Sequence, residues 1–464
     1  MAYASGGIYL LLILLVGYAL LSLIHPAKRM GVVHLTGLAA ALGTGAMGLL
    51  LFWASLLGFA PSRALLATLG SVAATGLVLL EQRGRRIEVQ FQTDPEPHGG
   101  WQTALLAVMG AGLGLMALGA LLTPLHEWDA LAIWGLKAKV LTHQALRPVP
   151  AYFHDLTLSY SHLNYPLLVP CLTAGAYTAM GTVDDQAGKM VSLFSGWLVV
   201  PLVYTGLRWK LPRLPAIALS AILALLPVMF RYAGVGCADL PLAMFYAGSV
   251  VFTAKWIDEQ QRHDLLLAML FSAFAAFTKN EGLALALING LVILGFGLWR
   301  GQRRPWSSSL VFFAGVLALT AAWLVWRRGL PHTDEDYGSK LSPAILAANL
   351  FKLGEIIPVM LIQTGAFRSW GLVWLLLGAM TLLGWRALAR PHVQAVWILL
   401  ILHLLMYALI YCVTPWDFFT LVVITIDRLL LHAVPAVLLL IGWHWASLAS
   451  KDCFPANRSL DSRR

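Results

Sequence analysis

Apolar runs succeed one another along almost the whole chain, separated by short polar or proline-bearing breaks. A run of about 20 apolar residues crosses a hydrocarbon core about 30 Å thick as a helix, because backbone in hydrocarbon must close its own hydrogen bonds. The pattern predicts spans over residues 7–24, 32–53, 64–80, 101–123, 190–207, 214–230, 240–256, 265–279, 282–299, 308–326, 370–385, 394–413 and 428–446. Two further apolar stretches, 166–182 and 347–365, are read as re-entrant or interfacial helices. The reason is the Lys and Arg content of the short loops, which marks the cytoplasmic side. With those two stretches kept from crossing, one side collects Lys28, Arg29, Arg83, Arg85, Arg86, Arg208, Lys210 and Arg213. It also collects Lys255, Arg262, Arg300, Arg303, Arg304, Arg386, Arg390, Arg463 and Arg464. Were 166–182 a crossing, every later loop would invert and its basic residues would lie outside. The N-terminus is therefore expected outside and the C-terminus inside. The chain reads as an all-α, polytopic membrane protein of about 13 transmembrane helices with two re-entrant or interfacial helices.

Composition narrows the class. The chain is 59% apolar and only 12% charged, against roughly 25% charged residues in a soluble globular chain. Mean hydropathy is +0.75. The net charge of +10 follows from the basic loops, so it implies membrane topology and no nucleic-acid partner. The segment from Met1 to Gly7 has no basic residue and no clear small-x-small site, and no cleavable signal is expected. Cys171, Cys237, Cys412 and Cys453 lack metal-ligand spacing; Cys237 and Cys412 both fall near the outer face, where they could form a disulfide. Residues 81–100, rich in Arg, Gln and Pro, form a cytoplasmic linker. It divides an accessory front part, 1–100, from a core over 101–450 that ends in a cytoplasmic tail, 451–464.

Candidate chemistry lies at one water interface. Asp129, Asp239, Glu281 and Asp427 all stand at membrane boundaries on the outer side, whereas the spans hold almost no ionisable residue at mid-depth. Asp129 closes the sequence His126, Glu127, Trp128, Asp129, where a long apolar span empties into a polar segment. Beyond it, Leu131, Trp134, Ala138, Leu141 and Ala145 recur at helical spacing, which predicts a helix lying in the membrane surface with Trp134 at headgroup level. Lys137 stands about 12 Å along that helix from Asp129, at ~1.5 Å per residue. Asp129 either caps the helix or serves an acceptor hydroxyl, and Lys137 meets either a lipid phosphate or an anionic leaving group.

Tyr165 precedes Pro166 and Pro170, which fix an entry turn into the first re-entrant stretch. Asp239, two residues before Pro241, is a helix cap or a site acid. Lys279 and Glu281 share a tight outer turn ending at Gly282; the lysine pairs locally, snorkels or holds a phosphate. Asp427 and Arg428 open the last span with His432 one turn on, where Arg428 is either half of an ion pair or a planar phosphate donor. His332, Asp334, Glu335 and Asp336 read as a solvated loop with metal binding as the alternative, and His403 reads as an interior histidine.

In this order, these elements resemble the GT-C superfamily of membrane glycosyltransferases, which includes aminoarabinose, lipopolysaccharide-core sugar and protein O-mannosyl transferases. The resemblance covers roughly residues 101–450 and rests on Glu127, Trp128 and Asp129; on Tyr165, Pro166 and Leu167; on Ala238 to Pro241; on Thr278 to Gly282; and on Arg428, His432 and Pro435. It implies a hexosyl- or pentosyl-transferase that takes a sugar from a polyprenyl-phosphate carrier and passes it to a glycan, lipid or protein acceptor. The expected setting is the bacterial inner membrane among its lipids, with the site on the periplasmic face. Under it, Asp129, Glu127 and Asp239 are the catalytic acids, and Lys137, Lys279 and Arg428 hold the donor phosphate. Trp128, Trp134, Tyr165, Glu281 and His432 line the substrate cavity. No cofactor is required by the residues; a divalent metal ion near Asp239 stays open. The front spans over 7–80 and the separated acids of the first loop depart from the family pattern. The rival reading is a transporter or flippase of lipid-linked saccharides, which would place functional charges near the midplane.

Overall fold

The computed structural model describes residues 2–25, 29–85, 87–90, 99–301, 305–331, 342–414 and 416–452. Nearly all of this chain is helical, as apolar runs in hydrocarbon must be. Among the described residues eleven helices are long and apolar enough to cross a membrane, or twelve if one bent pair counts as a span. The bent pair is Arg213–Leu225 with Pro227–Ala233, turned by 55°. The expected straight span 214–230 is broken there because Pro227 disfavours helical backbone at Leu226, which is extended.

Contacts sort the helix ends onto two faces. On one, here the first face, Arg231 lies 2.8 Å from Asp427, Ser369 donates to Asp427 at 2.7 Å, and Lys139 lies 2.8 Å from Asp185. On the second face, Lys210 lies 2.8 Å and His392 3.1 Å from Asp258, and His25 packs on His263. Helices connect the two faces in alternation. Asp239–Glu259, buried along nearly its whole length, is the axis on which the others pack. Arg262–Thr278 and Val373–Leu383, 17 and 11 residues long, fall short of membrane length where crossings 265–279 and 370–385 are expected. The first still joins the faces, running from the His25–His263 contact to Lys279.

The two stretches expected not to cross differ. Leu168–Met180 has 13 residues, too few for a core about 30 Å thick, and is buried inside protein. It begins beside Gly48 and ends beside Gly6, held on the way by Tyr9 donating to the Leu172 carbonyl at 3.2 Å. Pro343–Thr364, which covers most of 347–365, is long and apolar enough to cross. Lys352 within it is in electrostatic reach of Cys412, and Ser369, past its end, is bonded to Asp427 at the first face.

The front helices Ala2–Ile24 and Val32–Leu56 meet where glycines let backbones touch. A Cβ on Gly17 would strike the Ala39 carbonyl, and one on Gly43 that of Ile13. Val32–Leu56 also packs on Phe274 and Leu168, so the front helices adjoin the rest directly. Cys171, Cys237 and Cys412 are all free, so no bond joins Cys237 to Cys412.

Candidate active site

The polar groups of the first face converge because five separate elements end there. Asp239 is the first residue of the axial helix, whose N-cap is Ala238. Its carboxylate lies 2.9 Å from Lys279 Nζ and 3.3 Å from His432 Nε2. Lys279 sits in the turn between Arg262–Thr278 and Asn280–Trp299 and also reaches Glu281 at 3.1 Å. That turn is tight because Gly282 faces the Ala275 carbonyl, which a Cβ would strike. Burial alone would lower the Lys279 pKa, but the Asp239 and Glu281 carboxylates outweigh it and hold the ammonium well above its ordinary value. His432 is fully buried behind Asp239, with Nδ1 2.7 Å from the Tyr407 hydroxyl.

The second pair crosses the molecule. Arg428, on the last helix, donates to the Asp129 carboxylate. Asp129 makes no capping bond to its own helix. That helix starts as a π-helix over Ala130–Gly135 and continues as Leu136–His143. Trp134 therefore turns inward, 4% exposed and 6.0 Å from the Tyr165 ring, and not to the headgroups. The wider π turn shifts the helical phase on which the surface placement depended.

Asp129, Asp239, Lys279, Glu281 and Arg428 share the wall of one cavity of about 1120 Å³. Trp128, Trp134, Tyr160 and Tyr165 line it too, and Leu283, Leu287, Leu317 and Ile424 give it an apolar side. Three expected residues stand apart, and the first, His432 behind Asp239, does not line the cavity. Glu127 is exposed, 3.7 Å from His126, and does not line the cavity. Lys137 is fully buried beside it, donating to the Ser161 carbonyl and, at 2.8 Å, to that of His162. Burial holds its pKa well below the ordinary range. The two carbonyls take two of the N–H donors on its Nζ. Lys137 thus braces the turn that presents His162 and Tyr165 to the cavity.

Other lining residues were not singled out from the sequence. Arg327 lies 3.4 Å from Asn280 Oδ1 and over the Trp323 ring. Its signal was a basic residue ending a span on the side expected to be poor in them. Tyr407 carried no signal, since a tyrosine in an apolar span reads as core. His403 is interior as expected, but neither ring nitrogen has a hydrogen-bond partner; it packs on Tyr246 and Tyr407. Among the described residues no three His, Cys, Asp or Glu side chains converge as a metal site. The loop with His332, Asp334, Glu335 and Asp336 lies outside the described residues.

Residues 164–326 match the family described as dolichyl-phosphate-mannose-protein mannosyltransferase, a GT-C type of glycosyltransferase. No curated protein and no solved structure matches the chain. The matched stretch contains Tyr165, Asp239, Lys279 and Glu281, whereas Asp129, Arg428 and His432 lie outside it. Together with the many membrane-length helices, the match supports an integral membrane glycosyltransferase that uses a lipid-linked sugar donor.

Proposed function

We propose that this protein transfers a sugar from a polyprenyl-phosphate carrier to an acceptor hydroxyl at the first face, with inversion at the anomeric carbon. The observation that carries the reading is the cavity itself. One side is apolar and suits an isoprenoid chain, and the other gathers carboxylates and cations for a sugar phosphate. In the reaction the acceptor oxygen bonds to the anomeric carbon while the bond from that carbon to the phosphate oxygen breaks. The electron pair leaves on the lipid phosphate, and the acceptor proton passes to a carboxylate. Asp129 is the base in this reading, exposed enough at the cavity wall to meet a water-side acceptor. Arg428 and Lys279 stabilise the departing phosphate. Asp239 and Glu281 hold Lys279 in place, and His432 stands behind Asp239 at 3.3 Å.

The second-face ends carry Arg83, Arg85, Arg208, Lys210, Arg213, Arg300, Arg386 and Arg390. The positive-inside bias makes that face cytoplasmic and supports a periplasmic site in a bacterial inner membrane. Purified protein in liposomes, supplied with synthetic polyprenyl-phosphate hexoses and pentoses, should release lipid phosphate and form a glycosylated acceptor. Movement of the intact lipid-linked sugar across the bilayer without cleavage would replace this reading with the transporter one.

A further inference from the structure

We infer that the Asp129–Arg428 pair is a resting-state lock that the donor phosphate opens, so that the donor binds before the acceptor. The inference rests on the transferase reading above. In the cavity both cations assigned to the phosphate are held by carboxylates. Lys279 lies between Asp239 and Glu281 and is 7% exposed. Arg428 faces Asp129, with side-chain exposures of 28% and 32%. The neighbouring Asp427 is engaged by Arg231 and Ser369 and does not take Asp129's place.

An incoming phosphate must therefore displace a carboxylate. Lys279 is the poorer target, being more buried and doubly held. Arg428 also stands in the field of Asp239, but only Asp129 is in ion-pair contact with it; it is open to the cavity and offers a planar fork that suits a phosphate in bidentate contact. Once phosphate takes Arg428, Asp129 loses the partner that occupied its Oδ2. Its carboxylate is then free to take the acceptor's hydrogen bond and, on bond formation, the proton. Before the donor arrives, that oxygen is committed to the guanidinium. One exchange thus anchors the leaving group and exposes the base.

The test measures lipid binding separately from transfer. The full chain in lipid nanodiscs is titrated with a polyprenyl monophosphate, as wild type, Asp129→Asn and Arg428→Ala. The lock predicts that Asp129→Asn binds the lipid phosphate about tenfold more tightly than wild type, because a competing charge has gone. Arg428→Ala should bind at least about tenfold more weakly. Equal or weaker binding by a folded Asp129→Asn variant would overturn the lock. Absence of any binding by wild type would instead sink the transferase reading beneath it. Hydrogen exchange on the wild type guards against misfolded variants. Lipid phosphate should speed exchange over residues 128–136, which lose their tie to the last helix, and unchanged or slower exchange there would also overturn the lock.

Discussion

Lys279 organises the site at the scale of single residues. It is the shared partner of two acids, one of them 2% exposed, so removing it strands carboxylates away from water. Lys279→Ala should therefore lower stability by about 3 to 5 kcal/mol and cut the detergent-stable yield. Adding Asp239→Asn should restore part of that yield, as read by size-exclusion chromatography. Asp129 is a different case, being a third exposed and bonded to the Arg428 side chain. Asp129→Asn keeps the shape and should leave expression near normal, while transfer from a polyprenyl-phosphate sugar falls by about 10²-fold or more. Near-normal transfer would end its role as base. Lys137 gives a pH signature. The unfolded chain keeps its proton up to about the ordinary value of 10.5, whereas burial makes the folded chain release it lower. Between the two values the unfolded state binds more protons, so folding stability rises with pH across that window. The thermal midpoint in detergent should climb as the pH approaches about 10 from below, and Lys137→Met should flatten the slope while lowering the midpoint overall.

At the scale of elements, the turn after Arg262–Thr278 decides how Lys279 and Glu281 are presented. Two helices reverse direction there within a few residues, and only the absence of a side chain at Gly282 lets them close on the Ala275 carbonyl. Gly282→Ala should force the helices apart, cost roughly 1 to 3 kcal/mol and weaken lipid-phosphate binding. A thermal midpoint equal to wild type would show that the turn yields without strain. The π-helix after Asp129 is the second decisive element. It turns Trp134 into the cavity beside Tyr165 while leaving Leu131 40% exposed, a division that regular helical spacing does not produce.

At the scale of the whole molecule, the question is which helix ends share a face. Thr182, exposed after the buried helix Leu168–Met180, should share a side with Glu127. Exposed Arg85 and Arg386 should report from the other side. Single cysteines at these four places, labelled in intact membranes with an impermeant maleimide, should sort into those two groups. Labelling of Thr182→Cys together with Arg85→Cys, and of Glu127→Cys together with Arg386→Cys, would mean that Leu168–Met180 crosses after all. The salt links within each face, Arg231–Asp427 on one and Lys210–Asp258 on the other, make the same division physically.

Apolar period and length determined the helical class and most crossings, because hydrocarbon leaves backbone no other way to bond and run length maps directly onto thickness. The acids and bases at membrane boundaries were likewise visible, since charge beside hydrocarbon is costly and stands out. Of these, Asp129, Asp239, Lys279, Glu281 and Arg428 do line one cavity. What sequence could not reveal was pairing. Asp129 and Arg428 are 299 residues apart, and nothing local to either names the other. Nor did spacing distinguish Lys137, buried behind a loop, from a lysine facing substrate, because that depends on where the Ser161 and His162 carbonyls are carried by the turn. The bend at Pro227 was written in the chain, but its effect was not: it brings Arg231 to Asp427 only once the last helix is packed beside it. Local chemistry thus set which groups could act, and helix packing alone decided which of them meet.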